Sequence, residues 1–140
     1  GVMETYYAAD FQLEDAVARG AYQSWSFGPK LLDGGAVPER FNASDAVLAR
    51  NPRSAIGYYE PGHYCFVTVD GRQSGYSKGL SMEKLAALFL ELGCKDAYNL
   101  DGGQTAAMAT ADGLVNQPYK NGREVGDVLL ISATPLAEGN

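Results

Sequence analysis

The clearest structural signal in the sequence is a β-hairpin that is followed by an amphipathic helix and a further strand. Residues 54–59 and 64–69 are rich in aromatic and β-branched side chains, and a Glu-Pro-Gly-His turn separates them. Residues 82–92 place leucine and phenylalanine at positions i, i+3, i+4 and i+7, which share one face of a helix. Residues 97–100 are typical of a short buried strand. Because an apolar helix face needs a sheet to cover it, this order predicts a domain of mixed helix and sheet.

The ends of the predicted helix carry capping residues. Ser81 is a preferred N-cap, and Gly93 is a common residue at the stop of a helix. Glu83 suits the positive end of the helix dipole. As an acid in the first helical turn, Glu83 is therefore as well explained by capping as by catalysis.

Weaker signals precede this unit. Near-helical apolar spacing predicts a helix over residues 10–19, and aromatic alternation predicts a short strand over residues 21–27. Residues 33–52 contain a Gly-Gly pair and two prolines among scattered charges. This composition predicts a long connection, and we expect it to be the most mobile segment of the chain.

The residues after the unit complete the predicted fold. Residues 105–110 permit a helix, but the Asp112-Gly113 pair that follows favours a hairpin. Residues 128–132 are apolar and β-branched, which predicts a central strand. Taken together, the elements predict an α+β fold with a mixed, largely antiparallel sheet that is packed by one or two helices.

Length and composition limit the functions that this chain can serve. With 140 residues it has the size of one domain, and its 46% hydrophobic content is too high for a disordered chain. A formal net charge of -6 argues against binding to nucleic acid or to an anionic membrane, because both need a basic surface. No apolar run approaches the roughly 18 residues of a membrane span. We therefore expect no nucleic-acid partner and no membrane span.

The two cysteines leave two alternatives open. Cys65 lies in an apolar strand, and Cys94 directly follows the stop of the predicted helix. We expect two free, buried thiols that pack as small hydrophobic groups. A single disulfide in an oxidising compartment is the alternative, although spacing alone does not bring the two sulfurs within bonding range.

The segment 98–105 carries the strongest chemical signal. Asp101 follows a predicted strand, so its carboxylate is expected at the C-terminal edge of that strand. Gly102 and Gly103 lack a Cβ atom, which lets a ligand approach their backbone N–H groups closely. An ordinary turn that is capped by an aspartate is the structural alternative.

Two arginines lie at the open end of the predicted hairpin. Arg53 precedes the first strand, and Asp70 and Arg72 follow the second. Because the two open ends of a hairpin meet, we expect Arg53 and Arg72 to lie close together. Two guanidinium groups near an aspartate favour a ligand that carries phosphate. Solvated surface arginines are the alternative.

Several catalytic patterns are absent from the sequence. It has no glycine-rich phosphate loop, no Gly-x-Ser-x-Gly elbow and no Cys-x-x-Cys pair. With His63 as its single histidine, the chain offers little to a zinc hydrolase or a Ser–His–Asp enzyme. Asp70 and Asp101 without a ligand loop are weak grounds for a calcium site, so we expect no metal and no cofactor.

Five short motifs occur in an order that points to a known family. They are Arg53-Ser54-Ala55-Ile56-Gly57, Val67-Thr68-Val69-Asp70-Gly71-Arg72, Gly79-Leu80-Ser81-Met82-Glu83-Lys84-Leu85, Asn99-Leu100-Asp101-Gly102-Gly103 and Leu114-Val115-Asn116. This series resembles the phosphodiester glycosidase family, and the resemblance extends from about residue 20 to residue 132. Each motif alone is weakly specific, whereas five in the same order are fairly specific.

The resemblance implies a hydrolase that cleaves the glycosidic bond of a sugar-1-phosphodiester. In that activity Asp101 would be the nucleophile or the base for water, and Asp70 would orient an arginine or the water. Arg53 and Arg72 would hold the departing phosphate. The further residues that would bind substrate are Asn99, Gly102, Gly103, Gln104, Thr105 and Asn116.

One departure from the family pattern bears on the substrate. After the Gly-Gly pair the family usually has Gly-Ser-Ser/Thr, whereas this chain has Gln104-Thr105-Ala106. One glycine and one hydroxyl group are thus replaced by an amide and a methyl group. The sugar is therefore left open, and a non-catalytic module that binds carbohydrate, cell wall or exopolysaccharide on the same scaffold is the alternative function.

The resemblance also implies a setting for the chain. Family members normally carry a preceding half, and nothing similar precedes Gly1. We therefore expect residues 1–140 to be one domain that lacks its N-terminal portion. The chain is then either a fragment or a processed chain that is completed by a separate segment of the same precursor. The expected ligand is a sugar phosphate or a polysaccharide. The expected location is secreted or associated with the cell envelope, although no signal peptide is visible.

Overall fold

A computed structural model describes residues 1–132 of the chain. The largest sheet is four-stranded and antiparallel, with the strand order β1-β4-β2-β3. Its strands are β1 (Lys30–Leu32), β2 (Arg53–Glu60), β3 (His63–Val69) and β4 (Asp96–Leu100). The predicted hairpin is the β2–β3 pair, and the predicted short buried strand is β4. The α+β class and the largely antiparallel sheet are therefore confirmed.

The register places the start of β2 and the ends of β3 and β4 at the same end of this sheet. β3 and β4 both run antiparallel to β2 and pair with it from opposite sides. Arg53, at the start of β2, is opposite Val69 of β3, and the residue after it is opposite Leu100 of β4. The residues that follow β3 and β4, among them Arg72 and Asp101, therefore emerge beside the start of β2.

One helix covers a face of the sheet. The helices are α1 (Leu13–Ala18), α2 (Asp45–Leu48) and α3 (Met82–Glu91). α3 buries Met82, Leu85, Ala86 and Phe89, which pack with Leu31, Leu32, Ala55, Cys94 and Ala97 in the core. The buried stripe thus begins one turn earlier than predicted, and Leu92 remains 43% exposed. As predicted, Ser81 caps the helix, and its Oγ accepts a hydrogen bond from the backbone N–H of Lys84 at 3.4 Å.

The smaller elements agree in part with the sequence pattern. The helix predicted over residues 10–19 is present as the shorter α1, none of whose residues is buried. The long connection 33–52 contains the single turn of α2. The hairpin predicted around residue 112 is confirmed as the pair β5 (Ala109–Thr110) and β6 (Gly113–Leu114).

Two predicted strands are wrong. Residues 21–27 and 128–132 adopt no strand in the described part of the chain. Their composition suits a strand, but a strand needs a neighbouring backbone to satisfy its N–H and C=O groups. Neither described sheet takes up either segment. Their apolar side chains consequently lie at the surface, with Tyr22 81% exposed and Val128 77% exposed.

Candidate active site

A cleft of about 350 Å³ opens at the end of the sheet where β2 begins and β4 ends. It combines the loop before β2, the loop after β3, the loop after β4 and residue 123 near the end of the described chain. Its polar lining residues are Asn51, Arg53, Arg72, Asn99, Asp101, Gln104 and Arg123, joined by the backbone of Gly102 and Gly103.

Glycines let these loops approach the start of β2 closely. A Cβ atom on Gly102 would lie 2.7 Å from the Pro52 carbonyl oxygen, and one on Gly71 would lie 2.7 Å from the Pro52 nitrogen. Gly103 has a φ of +64° and donates its N–H to the same Pro52 carbonyl at 2.9 Å. The Asp-Gly-Gly turn is therefore held against Pro52 by backbone contact, which brings Asp101 to the same cleft as Arg53.

Arg53 is a buried cation at the floor of the cleft, with only 4% of its surface exposed. Its Nε donates to the Leu80 carbonyl at 3.0 Å, and its Nη2 donates to the carbonyls of Val47 at 2.7 Å and Ala49. Burial lowers the pKa of Arg53, and the charge of Arg72 lowers it further. The guanidinium remains charged at neutral pH, because the ordinary pKa of arginine is far above 7. No ion pair of Arg53 is formed within residues 1–132.

Arg72 is an exposed cation of the cleft. Its Nε and Nη2 both donate to the Oδ1 of Asn51, at 3.1 and 2.7 Å. Its guanidinium also lies 5.7 Å from the centre of the Tyr119 ring. A Cβ atom on Gly103 would lie 3.2 Å from Nη1 of Arg72, so a side chain there would crowd the guanidinium. Asn51, which sequence reasoning did not select, therefore sets the position of Arg72.

Asp101 presents its carboxylate to the cleft and pairs with a third arginine. Nη2 of Arg123 lies 3.0 Å from Oδ2 of Asp101, and the side chain of Asp101 is 48% exposed. Sequence reasoning missed Arg123, since it lies in a loop after an Asn-Gly pair, outside the matched motifs. Only the fold of residues 116–123 brings it back to the end of β4.

Asn99 lines the cleft from within β4 and is 99% buried. Its Nδ2 donates to the Gly28 carbonyl at 2.7 Å. Its Oδ1 has no hydrogen-bond partner among the described residues. A buried carbonyl oxygen without a donor is costly, so this amide is a natural acceptor for a polar group that enters the cleft.

Asp70 and Asn116 do not line the cleft. Asp70 accepts hydrogen bonds from Tyr76 Oη at 2.8 Å, Asn116 Nδ2 at 2.8 Å and Gln117 N–H at 3.0 Å. Burial alone would raise the pKa of Asp70, but the bonds from Gln117, Asn116 and Tyr76 together lower it. Asn116 also accepts from the N–H of Met108 at 2.8 Å. The pair fixes the loop that leads to Arg123.

Gln104 and Thr105 make mainly structural contacts. Gln104 Nε2 donates to the Gly122 carbonyl at 2.7 Å and so ties the turn after β4 to the loop that carries Arg123. Thr105 Oγ1 donates to the Gly102 carbonyl at 2.8 Å. Of these two predicted substrate residues, the structure places Gln104 at the cleft and Thr105 outside its lining.

The sequence profile of the phosphodiester glycosidase family matches residues 3–132, which is most of the chain. The chain belongs to this family. The resemblance that rested on five motifs is therefore confirmed, and three of these motifs contribute residues to the cleft of this phosphodiester glycosidase family member.

Individual relatives agree with this assignment. The chain is 32% identical over 135 residues to the SPbeta prophage-derived uncharacterized protein YomE of Bacillus subtilis (strain 168), a match that covers 94% of this chain and 21% of the relative. This member of the phosphodiester glycosidase family thus spans about a fifth of the length of that relative.

Two solved structures are similar to the chain. A hypothetical protein from Synechocystis is 28% identical, covers 69% of this chain and 18% of its own, and superposes with a TM-score of 0.57. The zebrafish N-acetylglucosamine-1-phosphodiester alpha-N-acetylglucosaminidase catalytic domain, auto-inhibited by its pro-peptide, is 22% identical. That match covers 64% of this chain and 33% of the zebrafish chain, with a TM-score of 0.53. At this identity, the zebrafish likeness concerns the fold alone.

Metal binding and membrane spanning are two further properties that bear on the function of this phosphodiester glycosidase family chain. Residues 1–132 contain no group of three or more His, Cys, Asp or Glu side chains arranged to hold a metal ion. None of the helices formed by these residues is both long and apolar enough to cross a membrane.

Proposed function

We propose that the cleft hydrolyses a sugar-1-phosphodiester at the bond between the anomeric carbon and the phosphate oxygen. One observation supports this proposal most. The partly exposed carboxylate of Asp101 lines the same cleft as the cations Arg53 and Arg72. A sugar-1-phosphodiester has matching parts, since positive charge develops at its anomeric carbon while the phosphate leaves as an anion. The name of the zebrafish structural neighbour describes an enzyme that acts on this bond type.

Arg53 and Arg72 would bind the phosphate. Arg53 is held by three backbone carbonyls and Arg72 by the Asn51 amide, so neither charge is neutralised by a carboxylate within residues 1–132. Burial strengthens the attraction of Arg53 for an anion, because water screens its charge less there. As the C–O bond breaks, both electrons go to the phosphate oxygen, and the two guanidiniums stabilise the added charge.

Asp101 would act at the anomeric carbon. Either its carboxylate attacks that carbon, or it takes a proton from a water molecule that does. A phosphate is already a good leaving group, so the reaction depends less on a strong general acid than an ordinary glycosidase does. The guanidinium of Arg123 holds the carboxylate of Asp101 in place at 3.0 Å. Asn99 Oδ1 would accept a hydrogen bond from a sugar hydroxyl.

Asp70 has a positioning role in this proposal. Its three hydrogen-bond donors come from residue 76 and from residues 116 and 117. Gln73 adds to the same connection, because its Nε2 donates to the Gln117 carbonyl at 2.8 Å. Asp70 therefore holds the loop from which Tyr119 contacts Arg72 and Arg123 contacts Asp101. Asn116 serves the same purpose.

The decisive experiment is hydrolysis of a synthetic N-acetylglucosamine-1-phosphodiester by Asp101→Asn and by the unaltered protein. The substitution keeps the shape of the side chain and removes its charge, so we expect a loss of turnover of at least about 1,000-fold with unchanged folding. Asp112→Asn, in the exposed turn between β5 and β6, is the matched control and should retain full activity. A fully active Asp101→Asn protein would contradict the assignment.

The same assay separates hydrolysis from carbohydrate binding alone. A non-catalytic module would bind the ligand in calorimetry and would release neither the free sugar nor a phosphomonoester from it. We also propose that a further segment of the same precursor completes the cleft, because the exposed apolar residues 128–131 offer it a surface and the chain spans a fifth of its curated relative. Assays therefore compare the chain alone with the chain joined to that segment.

We further propose a secreted or envelope location, which cell fractionation tests.

A further inference from the structure

The two cysteines lie side by side although 29 residues separate them in sequence. Cys65 is in the edge strand β3, and Cys94 follows the C-terminal end of α3. Their sulfur atoms are 3.7 Å apart, and both thiols are free. A disulfide bond needs about 2.05 Å, so small side-chain rotations would bring the sulfurs into bonding range.

Gly57 is the reason that the two sulfurs can meet. It is the cross-strand partner of Cys65, so the two residues face the same side of the sheet. A Cβ atom on Gly57 would lie 2.7 Å from Cys94 Sγ and 2.7 Å from the Phe89 ring. Cys94 therefore occupies the space that a side chain at position 57 would fill, directly beside Cys65.

The surroundings give the two thiols different roles in an oxidation. Cys65 is partly exposed on the edge strand, whereas Cys94 is only 3% exposed. Burial raises the pKa of the Cys94 thiol to about 11. A soluble oxidant therefore reaches Cys65 first, and Cys94 is protected from reaction with anything other than its neighbour.

We propose that Cys65 and Cys94 form an intramolecular disulfide that ties β3 to the end of α3. With a small-molecule disulfide such as oxidised glutathione as the oxidant, the Cys65 thiolate attacks one sulfur and releases one glutathione thiolate. Cys94 loses its proton to solvent and then attacks Cys65 Sγ, which releases the second glutathione. The chain loses two hydrogen atoms, and the oxidised glutathione is reduced to two thiols.

The experiment treats the reduced, folded protein with oxidised glutathione, then unfolds it in guanidinium chloride and blocks the remaining thiols with N-ethylmaleimide. We expect intact mass spectrometry to show a monomer that has lost two hydrogen atoms and carries no maleimide. Proteolysis should yield one cross-linked pair of peptides that contain residues 65 and 94. Because the bond closes a long loop, Tm should rise by roughly 10 °C relative to the reduced protein.

The single variants provide the controls. Cys94→Ser should stop at the mixed disulfide of Cys65 with glutathione, because the second attack is removed. Cys65→Ser should leave Cys94 largely unmodified in the folded state. The proposal is overturned if the unaltered protein retains two reactive thiols, stops at the mixed disulfide or cross-links only between chains. These results need no activity, so they are independent of the proposed hydrolysis.

Discussion

At the scale of single residues, some side chains of the cleft could be predicted from the sequence and others could not. Arg53 and Arg72 were expected to meet because hairpin ends meet, and the register of β2 and β3 brings both to the same edge. Arg123 and Asn51 could not be found in this way. Their positions depend on irregular loops, whose course is set by contacts that no spacing rule describes.

Asp70 gives a prediction in which pH is the variable. Its pKa in the folded chain is lowered, so the folded state binds the proton less readily than the unfolded state does. Its contribution to stability is therefore complete above about pH 4, the unfolded pKa, and is lost as the pH falls through the lower folded pKa. Asp70→Asn should cost about 1 kcal/mol at neutral pH, because it weakens bonds to a charged acceptor.

Urea unfolding of both proteins between pH 7 and pH 2 measures this effect. The difference between the two free energies of unfolding should be constant near neutral pH and should shrink in acid. Asp112→Asn, at an exposed turn, should show no such change. A difference between Asp70→Asn and the unaltered protein that stays constant down to pH 2 would mean that Asp70 does not act through its charge.

At the scale of elements, sequence patterns correctly predicted the elements whose signals lie within their own residues. The β2–β3 hairpin and α3 carry local signals, namely a tight turn and one apolar face, and both are present. The segments 21–27 and 128–132 have the composition of strands without forming them. Whether a segment becomes a strand depends on a neighbouring backbone, which composition does not reveal.

The turn after β4 offers a test of how closely these elements must approach. Gly102→Ala places a Cβ atom 2.7 Å from the Pro52 carbonyl, and a backbone oxygen cannot rotate away as a side chain can. The turn must therefore move away from β2, which we expect to cost about 2 kcal/mol of stability. Because Asp101 moves with it, kcat should fall as well.

Gly126→Ala is the matched control, since a Cβ atom there meets nothing within 4 Å. It should change the free energy of unfolding by less than about 0.5 kcal/mol. Urea unfolding and the phosphodiester assay are measured on both variants. If Gly102→Ala were as stable and as active as Gly126→Ala, close contact between the turn and β2 would not shape the site.

At the scale of the whole molecule, overall charge and local charge have opposite signs. The chain carries a formal net charge of -6, yet its cleft gathers three arginines around one aspartate. A distant anion is repelled by the molecule, but at physiological salt that repulsion is screened beyond about 8 Å. Inside the cleft the nearest charges are the guanidiniums, so binding of an anion there should be favourable.

This contrast predicts that phosphate anions stabilise the folded chain. At ten times its Kd, inorganic phosphate or a sugar-1-phosphate should add about 1.4 kcal/mol and raise Tm by roughly 5 °C. Chloride at equal ionic strength should not reproduce the shift, because a single spherical ion cannot accept directed hydrogen bonds from both guanidiniums as the several oxygens of phosphate can. Differential scanning fluorimetry over a phosphate titration measures the effect.

Two arginine variants show whether the cleft is responsible. Arg72 is exposed, and within residues 1–132 its one side-chain hydrogen-bond partner is Asn51, so Arg72→Gln should fold normally and lose most of the phosphate shift. Arg40 is exposed and outside the cleft lining, and Arg40→Gln removes the same charge from the molecule. It should retain the full shift, because screening makes a remote charge ineffective. Equal losses in the two variants would mean that phosphate responds to net charge and that the three arginines do not form an anion site.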